Sequence, residues 1–248
     1  MKRFFIIPIL FSTILLSSTI TIAIAANLSY VMVPLKKAFN KMHPNINVRV
    51  IRGSSGKLTS QIRHLAPYDI FLSANIEYPQ KLYEENLTLF KPMVYASGAL
   101  AIFSNKEQKI DHNLAFLTHD TIEKIAIANP KTAPYGVASK QALKNAKLYD
   151  MLENKLVYGE SISQTIIYAT SIADAGIISK SSLYAPQMLH YKEGVQWVDV
   201  DTALYTPIKQ AMVIAKHTQY KKEAKAFYDF MLSSKAIKIL KKFGYKVL

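Results

Sequence analysis

Asn47-Val48-Arg49-Val50-Ile51-Arg52-Gly53-Ser54-Ser55-Gly56-Lys57-Leu58 carries the chain from a strand pattern, through a glycine–serine turn, into a helical one. Asn47 to Ile51 read as a strand, and Leu58, Ile62 and Leu65 recur at helical spacing. The glycines let the backbone turn tightly and come close to a ligand. A helix that starts here offers unpaired N–H groups and the positive end of its dipole, which together favour an anion. Ser54 and Ser55 add hydroxyl donors. Serine is also a preferred helix cap, so from these residues alone capping and binding stand equal. The turn is not a nucleotide phosphate loop, because the position five before Gly56 is Ile51 where that motif needs glycine.

The same unit recurs on both sides of this turn. Upstream, Thr19 to Ala25 reads as a strand, followed by the junction Ala26-Asn27-Leu28-Ser29. A helix through Val31, Leu35, Ala38, Phe39 and Met42 comes next and breaks at Pro44-Asn45. Downstream, Asp69 to Leu72 and Ala99 to Phe103 read as strands. The second half repeats the alternation: strand Ile125 to Ala128, junction Asn129 to Gly136, helix Val137 to Asn145. It continues with strand Leu156 to Tyr158, the junction through Gly159 and Glu160, helix Ser161 to Ala169, and strand Ala175 to Ile178 closing at Ser179. A late strand at Ala211 to Ala215 leads to two helices, Lys221 to Leu232 and Lys235 to Lys242, stopped by Gly244. This order predicts mostly parallel sheets with helices on both faces, arranged as two α/β lobes. Such sheets bind ligands beyond the carboxyl ends of their strands. Five junctions with small or hydroxyl residues therefore describe a cleft lined by helix starts and neutral donors.

Composition sets the outer limits. Half of the 248 residues are hydrophobic and 19% are charged, as in a globular body. Lys2 and Arg3, the apolar run Phe4 to Leu16, and Ser17-Ser18 have the form of a cleaved signal peptide over residues 1–18, which implies export to the periplasm. The apolar run is shorter than the ~20 residues of a spanning helix; an uncleaved anchor is the alternative. Ala23-Ile24-Ala25 also has a small-x-small form, but a cut there would remove a strand. The absence of cysteine excludes disulfides, a thiolate metal site, a cysteine nucleophile and a lipid-modified cysteine. The net charge of +14 is spread along helices, as at Lys36, Lys37 and Lys41 or Lys140, Lys144 and Lys147. It reads as solvated faces, with attraction of anions or an anionic membrane surface as the sharper reading. No basic run interleaved with aromatics points to nucleic acid. The six histidines lack ligand spacing, no Gly-x-Ser-x-Gly elbow occurs, and the acidic pairs Glu84-Glu85 and Asp199/Asp201 sit in polar contexts. No enzyme chemistry is nameable from these residues.

At its junctions the sequence resembles the periplasmic molybdate-binding proteins of ABC importers. The matching segments are Ala25-Ala26-Asn27-Leu28-Ser29, Gly53 to Leu58 with Gln61-Ile62, and Ala66-Pro67-Tyr68-Asp69-Ile70-Phe71-Leu72-Ser73-Ala74-Asn75. Further along they are Ala128-Asn129-Pro130 with Ala133 to Gly136, Lys155 to Glu160, Ala173 to Ile177, and the ending Ala226 to Phe230 through Phe243-Gly244-Tyr245. The resemblance implies a two-lobed type II binding-protein fold, with a mostly parallel sheet flanked by helices in each lobe and the ligand cleft between them. Residues 19–98 and the return 209–248 would form lobe 1, and residues 99–208 lobe 2. It also implies capture of molybdate or tungstate without a cofactor, with the metal held only as its oxyanion and not by direct ligands. A membrane permease is the implied partner, and the protein a monomer. The positions matched to the family's oxyanion ligands are Asn27, Ser55, Tyr135, Ile162 and Ser179, with Tyr135 and Ile162 acting through backbone N–H. Asn27 stands where serine is usual, and Ser179 where many members carry tyrosine. Sulfate or a carboxylate remains the alternative ligand; a carboxylate would call for an arginine, and Arg52 and Arg63 are the ones near a candidate loop.

Overall fold

The computed structural model describes residues 17–107 and 109–247, so the apolar leader lies outside the described residues except for Ser17 and Ser18. Two five-stranded sheets organise the chain. The first contains β1 (Ser18–Ala25), β2 (Ile46–Gly53), β3 (Ile70–Leu72), β4 (Met93–Gly98) and β10 (Ile208–Ile214), in the order β2-β1-β3-β10-β4. The second contains β5 (Leu100–Phe103), β6 (Ile125–Ala128), β7 (Leu156–Gly159), β8 (Ala175–Ser179) and β9 (Trp197–Asp199), in the order β7-β6-β8-β5-β9. Each sheet has one strand running against the rest: β10 in the first and β5 in the second. The backbone passes from one sheet to the other at Ala99 and returns between Val200 and Pro207.

The strand patterns explain the layering. In β1, Ile20, Ile22 and Ile24 alternate with Thr21 and Ala23, and all are buried. Successive side chains point to opposite faces of a strand. The isoleucines accordingly pack in one core with α1 (Met32–Met42) and the closing helices α7 (Lys221–Met231) and α8 (Ser234–Lys242). Ala23 packs in another with Leu58 and Ile62 of α2 (Ser55–Arg63) and Leu82 of α3 (Glu77–Glu84). A strand covered on both faces is central, and β1 pairs with β2 along its whole length as well as with β3. A processing cut after Ala25 would remove it. The second sheet is covered in the same way by α4 (Pro134–Asn145), the short α5 (Tyr149–Leu152) and α6 (Ile162–Ser171). Alanines 25, 26 and 74 of the first half join the core of the second, and their small side chains let the halves approach closely.

Four of the labelled elements, α3, β4, α5 and β9, exceed the sequence expectation. Strand β4 is partly exposed, β9 has three residues and α5 four, so these carry little period, and α3 buries only Pro79 and Leu82. In the first core, the buried Phe39 ring meets Phe227 and Phe230 edge-on, at centroid distances of 5.0 and 5.5 Å. Replacing Phe39 by alanine is expected to cost about 3–5 kcal/mol of folding stability. Urea unfolding measures this, and a loss under ~1 kcal/mol would contradict the packing described.

Candidate functional site

Where the two halves meet, a small cavity is lined by Ala25, Ala26 and Asn27 beyond β1, Ser54 and Ser55 beyond β2, and Ala74 beyond β3. From the second half it is lined by Ala133, Pro134 and Tyr135 beyond β6 and by Ile162 beyond β7. Only about 10 Å³ of it can take the centre of a water-sized sphere, within roughly 190 Å³ of space that also counts open solvent. Four of the five residues singled out in the sequence, Asn27, Ser55, Tyr135 and Ile162, share it. Ser179 does not line it. That residue ends β8, is fully buried, and its hydroxyl lies 2.5 Å from the Ser182 hydroxyl. Its hydroxyl is engaged with Ser182 instead. The nearby Ser181, which the sequence reading passed over, instead donates to the Asn27 carbonyl at 3.3 Å.

The lining follows from how the helices start. Helices α2, α4 and α6 begin at the cavity, with Ser55, Pro134 and Ile162 as their first residues. The first N–H groups of a helix have no partner within it. Those of Ser55, Tyr135 and Ile162 have no acceptor among the described residues. Pro134 fits the first helical position because it brings no N–H there. Ser54 precedes α2 in extended conformation, yet its side chain makes no capping bond and its buried hydroxyl has no partner among the described residues. The side chain of Ser54 therefore does not cap the helix, and its hydroxyl is left without a partner at the cavity wall beside Ser55. The Ser55 hydroxyl accepts from the Ala74 N–H at 3.0 Å, which leaves its own proton to donate.

Among the described residues, no charged side chain lines the cavity. Lys57 lies outside it, paired with Glu160 at 3.0 Å, and both side chains are more than half exposed. Arg63 pairs with Glu85, and neither Arg63 nor Arg52 is among the lining residues. The halves are drawn together here. Gly56 N–H donates to the Thr132 carbonyl at 2.9 Å, and Ser163 donates to the Ala26 carbonyl at 3.3 Å. A Cβ on Gly56 would lie 3.0 Å from that same Thr132 oxygen, so glycine is what permits the contact.

Behind the cavity lies a buried polar cluster that the sequence reading missed. Gln210 of β10 donates to the Tyr135 hydroxyl at 3.1 Å and accepts from Asn27 at 3.0 Å and from Tyr95 at 2.9 Å. Asn27 also donates to the Tyr245 hydroxyl at 2.9 Å. Burial pushes the Tyr95, Tyr135 and Tyr245 hydroxyls well above the ordinary tyrosine range, so they stay neutral. The cluster joins residues up to 218 positions apart, and no local pattern announces it.

The family described as bacterial extracellular solute-binding protein matches residues 20–246. The chain belongs to that family. It is 37% identical over 195 residues to the molybdate-binding protein ModA of Rhodobacter capsulatus, covering 78% of this chain and 75% of that one. Identity with ModA of Azotobacter vinelandii is 34%, covering 92% of this chain and 90% of that one. The solved structure of the Azotobacter vinelandii periplasmic molybdate-binding protein superimposes with a TM-score of 0.85 at 30% identity, covering 92% and 99% of the two chains. The two-sheet α/β architecture is therefore that of periplasmic binding proteins. No helix among the described residues is long and apolar enough to cross a membrane.

Gly98, at the end of β4, underlies the polar cluster, because a Cβ there would collide with the Tyr135 hydroxyl and lie 2.6 Å from Gln210 Nε2. Gly98→Ala is expected to destabilise the protein by about 1–3 kcal/mol through this overpacking. Chemical unfolding checks it; wild-type stability would mean that the cluster is looser than described.

Proposed function

We propose that this chain captures molybdate or tungstate in the periplasm, without chemical change, for a membrane permease of an ABC importer. The observation that carries the reading is the cavity itself, which is small, faced by helix starts and hydroxyls, and free of charged side chains. Ser55, Tyr135 and Ile162 would hold the oxyanion, the last two through backbone N–H, with Asn27 and the unpartnered Ser54 beside them. Ser179 then has a supporting role at the end of β8 rather than a ligand's. Each hydrogen bond to a charged oxygen contributes ~1.5–3 kcal/mol, and each helix start adds ~0.3–1 kcal/mol from its dipole. A carboxylated metabolite is disfavoured by the cavity's size and by the absence of arginine from its lining. Sulfate remains the competing oxyanion, smaller but equally tetrahedral.

In this reading residues 1–18 are removed on export. Residues 19–98 and 209–248 form one lobe, residues 99–208 form the other, and a monomer opens and closes between them. The contacts from Gly56 to Thr132 and from Lys57 to Glu160 belong to the closed form. Capture needs no acid–base pair, in keeping with solute-binding relatives and with a lining that has no titratable carboxylate or imidazole.

Calorimetry with molybdate, tungstate, sulfate and phosphate tests the proposal. The expected result is tight one-to-one binding of molybdate and tungstate, with sulfate weaker; no heat with any of the four would sink it. Ser55→Ala is expected to weaken molybdate binding roughly 10- to 100-fold, the loss of one charge-assisted hydrogen bond, with the fold intact. Unchanged affinity would remove Ser55 from the site.

A further inference from the structure

We propose that the side chain of Tyr135 ties the bound anion to the hinge. Its hydroxyl seats between Gly98 and Gln210 only when the halves are closed, so a residue that holds the anion through its backbone also slows the anion's release through a group that never touches it. The inference rests on the oxyanion reading above.

Tyr135 is the second residue of α4, and its N–H, without an acceptor among the described residues, belongs to the cavity wall. Its side chain ends elsewhere. The ring is buried in the core built around the second sheet, and the hydroxyl meets the Gln210 side-chain amide at 3.1 Å. A hydroxyl can give or take a proton, so either end of the amide serves it. Gln210 does not line the cavity. It lies on β10, and Gly98 ends β4, the two strands of the first sheet through which the backbone leaves for the second half and comes back. A Cβ on Gly98 would collide with the Tyr135 hydroxyl. Gly98 is not in the left-handed region, so space rather than backbone freedom accounts for the glycine.

Phenylalanine would fill the same core without a polar atom to satisfy. A buried hydroxyl is costly unless it is paired, and here the partner comes from the opposite half. When the halves part, Tyr135 travels with α4, while Gly98 and Gln210 stay with the first sheet. Hydroxyl and amide then turn to water. When the halves close, the bond forms away from water, and the missing side chain of Gly98 admits the oxygen. Ser181 of the second half also acts on this hydroxyl and stays beside it in either arrangement, so Gln210 is what distinguishes closed from open. The anion holds Tyr135 by its N–H, and the first sheet holds it by its oxygen. Both favour the closed arrangement, and by linkage each strengthens the other. The Lys57–Glu160 pair also spans the halves, but both side chains are more than half exposed and water screens them. The buried tie is therefore the stronger of the two. Tyr135 is a ligand through its backbone and a positioning residue through its side chain.

Stopped-flow release of molybdate from Tyr135→Phe tests this, since the variant keeps the ring and the backbone N–H and loses the hydroxyl alone. Release is expected to quicken about 5-fold or more, with the loss of affinity falling on the release rate. Gln210→Met is expected to quicken release as well. In the double variant the two effects are expected to combine to less than their product, because both break one contact. The wild-type protein gives a reading that needs no variant. Saturating molybdate is expected to slow hydrogen exchange of the Gln210 side-chain amide protons about 10-fold or more. Release from Tyr135→Phe within about 2-fold of wild type, even with stability lowered, would overturn the proposal and leave the hydroxyl a packing role only. Effects that multiply in the double variant, or Gln210 exchange indifferent to molybdate, would overturn it too. Absence of molybdate binding to the wild-type protein in calorimetry would instead overturn the oxyanion reading on which it rests.

Discussion

A doubly charged oxyanion taken out of water must recover its lost hydration from donors already fixed in place. A lysine or arginine could supply charge, but a buried cation carries a desolvation cost of its own. For the oxyanion proposed here, the cavity would supply neutral groups instead. The N–H groups at the starts of α2, α4 and α6 and the hydroxyls of Ser54 and Ser55 converge on one small space. This demand orders much of the rest. Helices must begin at the ends of neighbouring strands, which the parallel pairings of β1 with β2 and of β6 with β7 arrange. The two sheets must face each other at those ends, and small residues such as Gly56 and Ala74 must stand where bulk would hold the halves apart.

The two sheets are variations on one plan. The first sheet sets its second, first and third strands side by side (β2-β1-β3) and the second sheet its third, second and fourth (β7-β6-β8), and in each a reversed strand and then an edge strand follow. In the first sheet the reversed strand is β10, which arrives only after the second half is complete. That late return carries Gln210 beneath the cavity and places it between Asn27, from the first junction, and Tyr135, from the third. The same strand that closes the first sheet thus connects donors contributed by both halves.

What was legible in the sequence follows this logic. The strand Ile125 to Ala128 was read to the residue, and the turn at Gly53 to Gly56 was read as a strand–helix junction, because both depend on local period and turn chemistry. Export could be read only from a segment outside the described residues. The edge strands β4 and β9 escaped notice, since short or half-exposed strands carry little periodic signal. The choice between capping and binding at Ser54 could not be made from its identity, and only the fold shows that its side chain makes no capping bond. Gln210, Tyr95 and Tyr245 were invisible for another reason. Their role comes from distant contacts within a buried network, and a single glutamine or tyrosine in a strand or tail is otherwise unremarkable in sequence. Ser179 was read as the hydroxyl at a strand-end junction and matched by resemblance to a ligand position, but it pairs with Ser182 and is not among the lining residues of the cavity.

The most direct measurement is anomalous diffraction at the molybdenum edge from crystals of the protein grown with molybdate. The account predicts one strong peak per chain in the cavity, its oxygens within hydrogen-bond reach of the Ser55 hydroxyl and of the N–H groups of Tyr135 and Ile162. A peak on the lysine-rich surface with the cavity unfilled, or no peak at saturating molybdate, would contradict it.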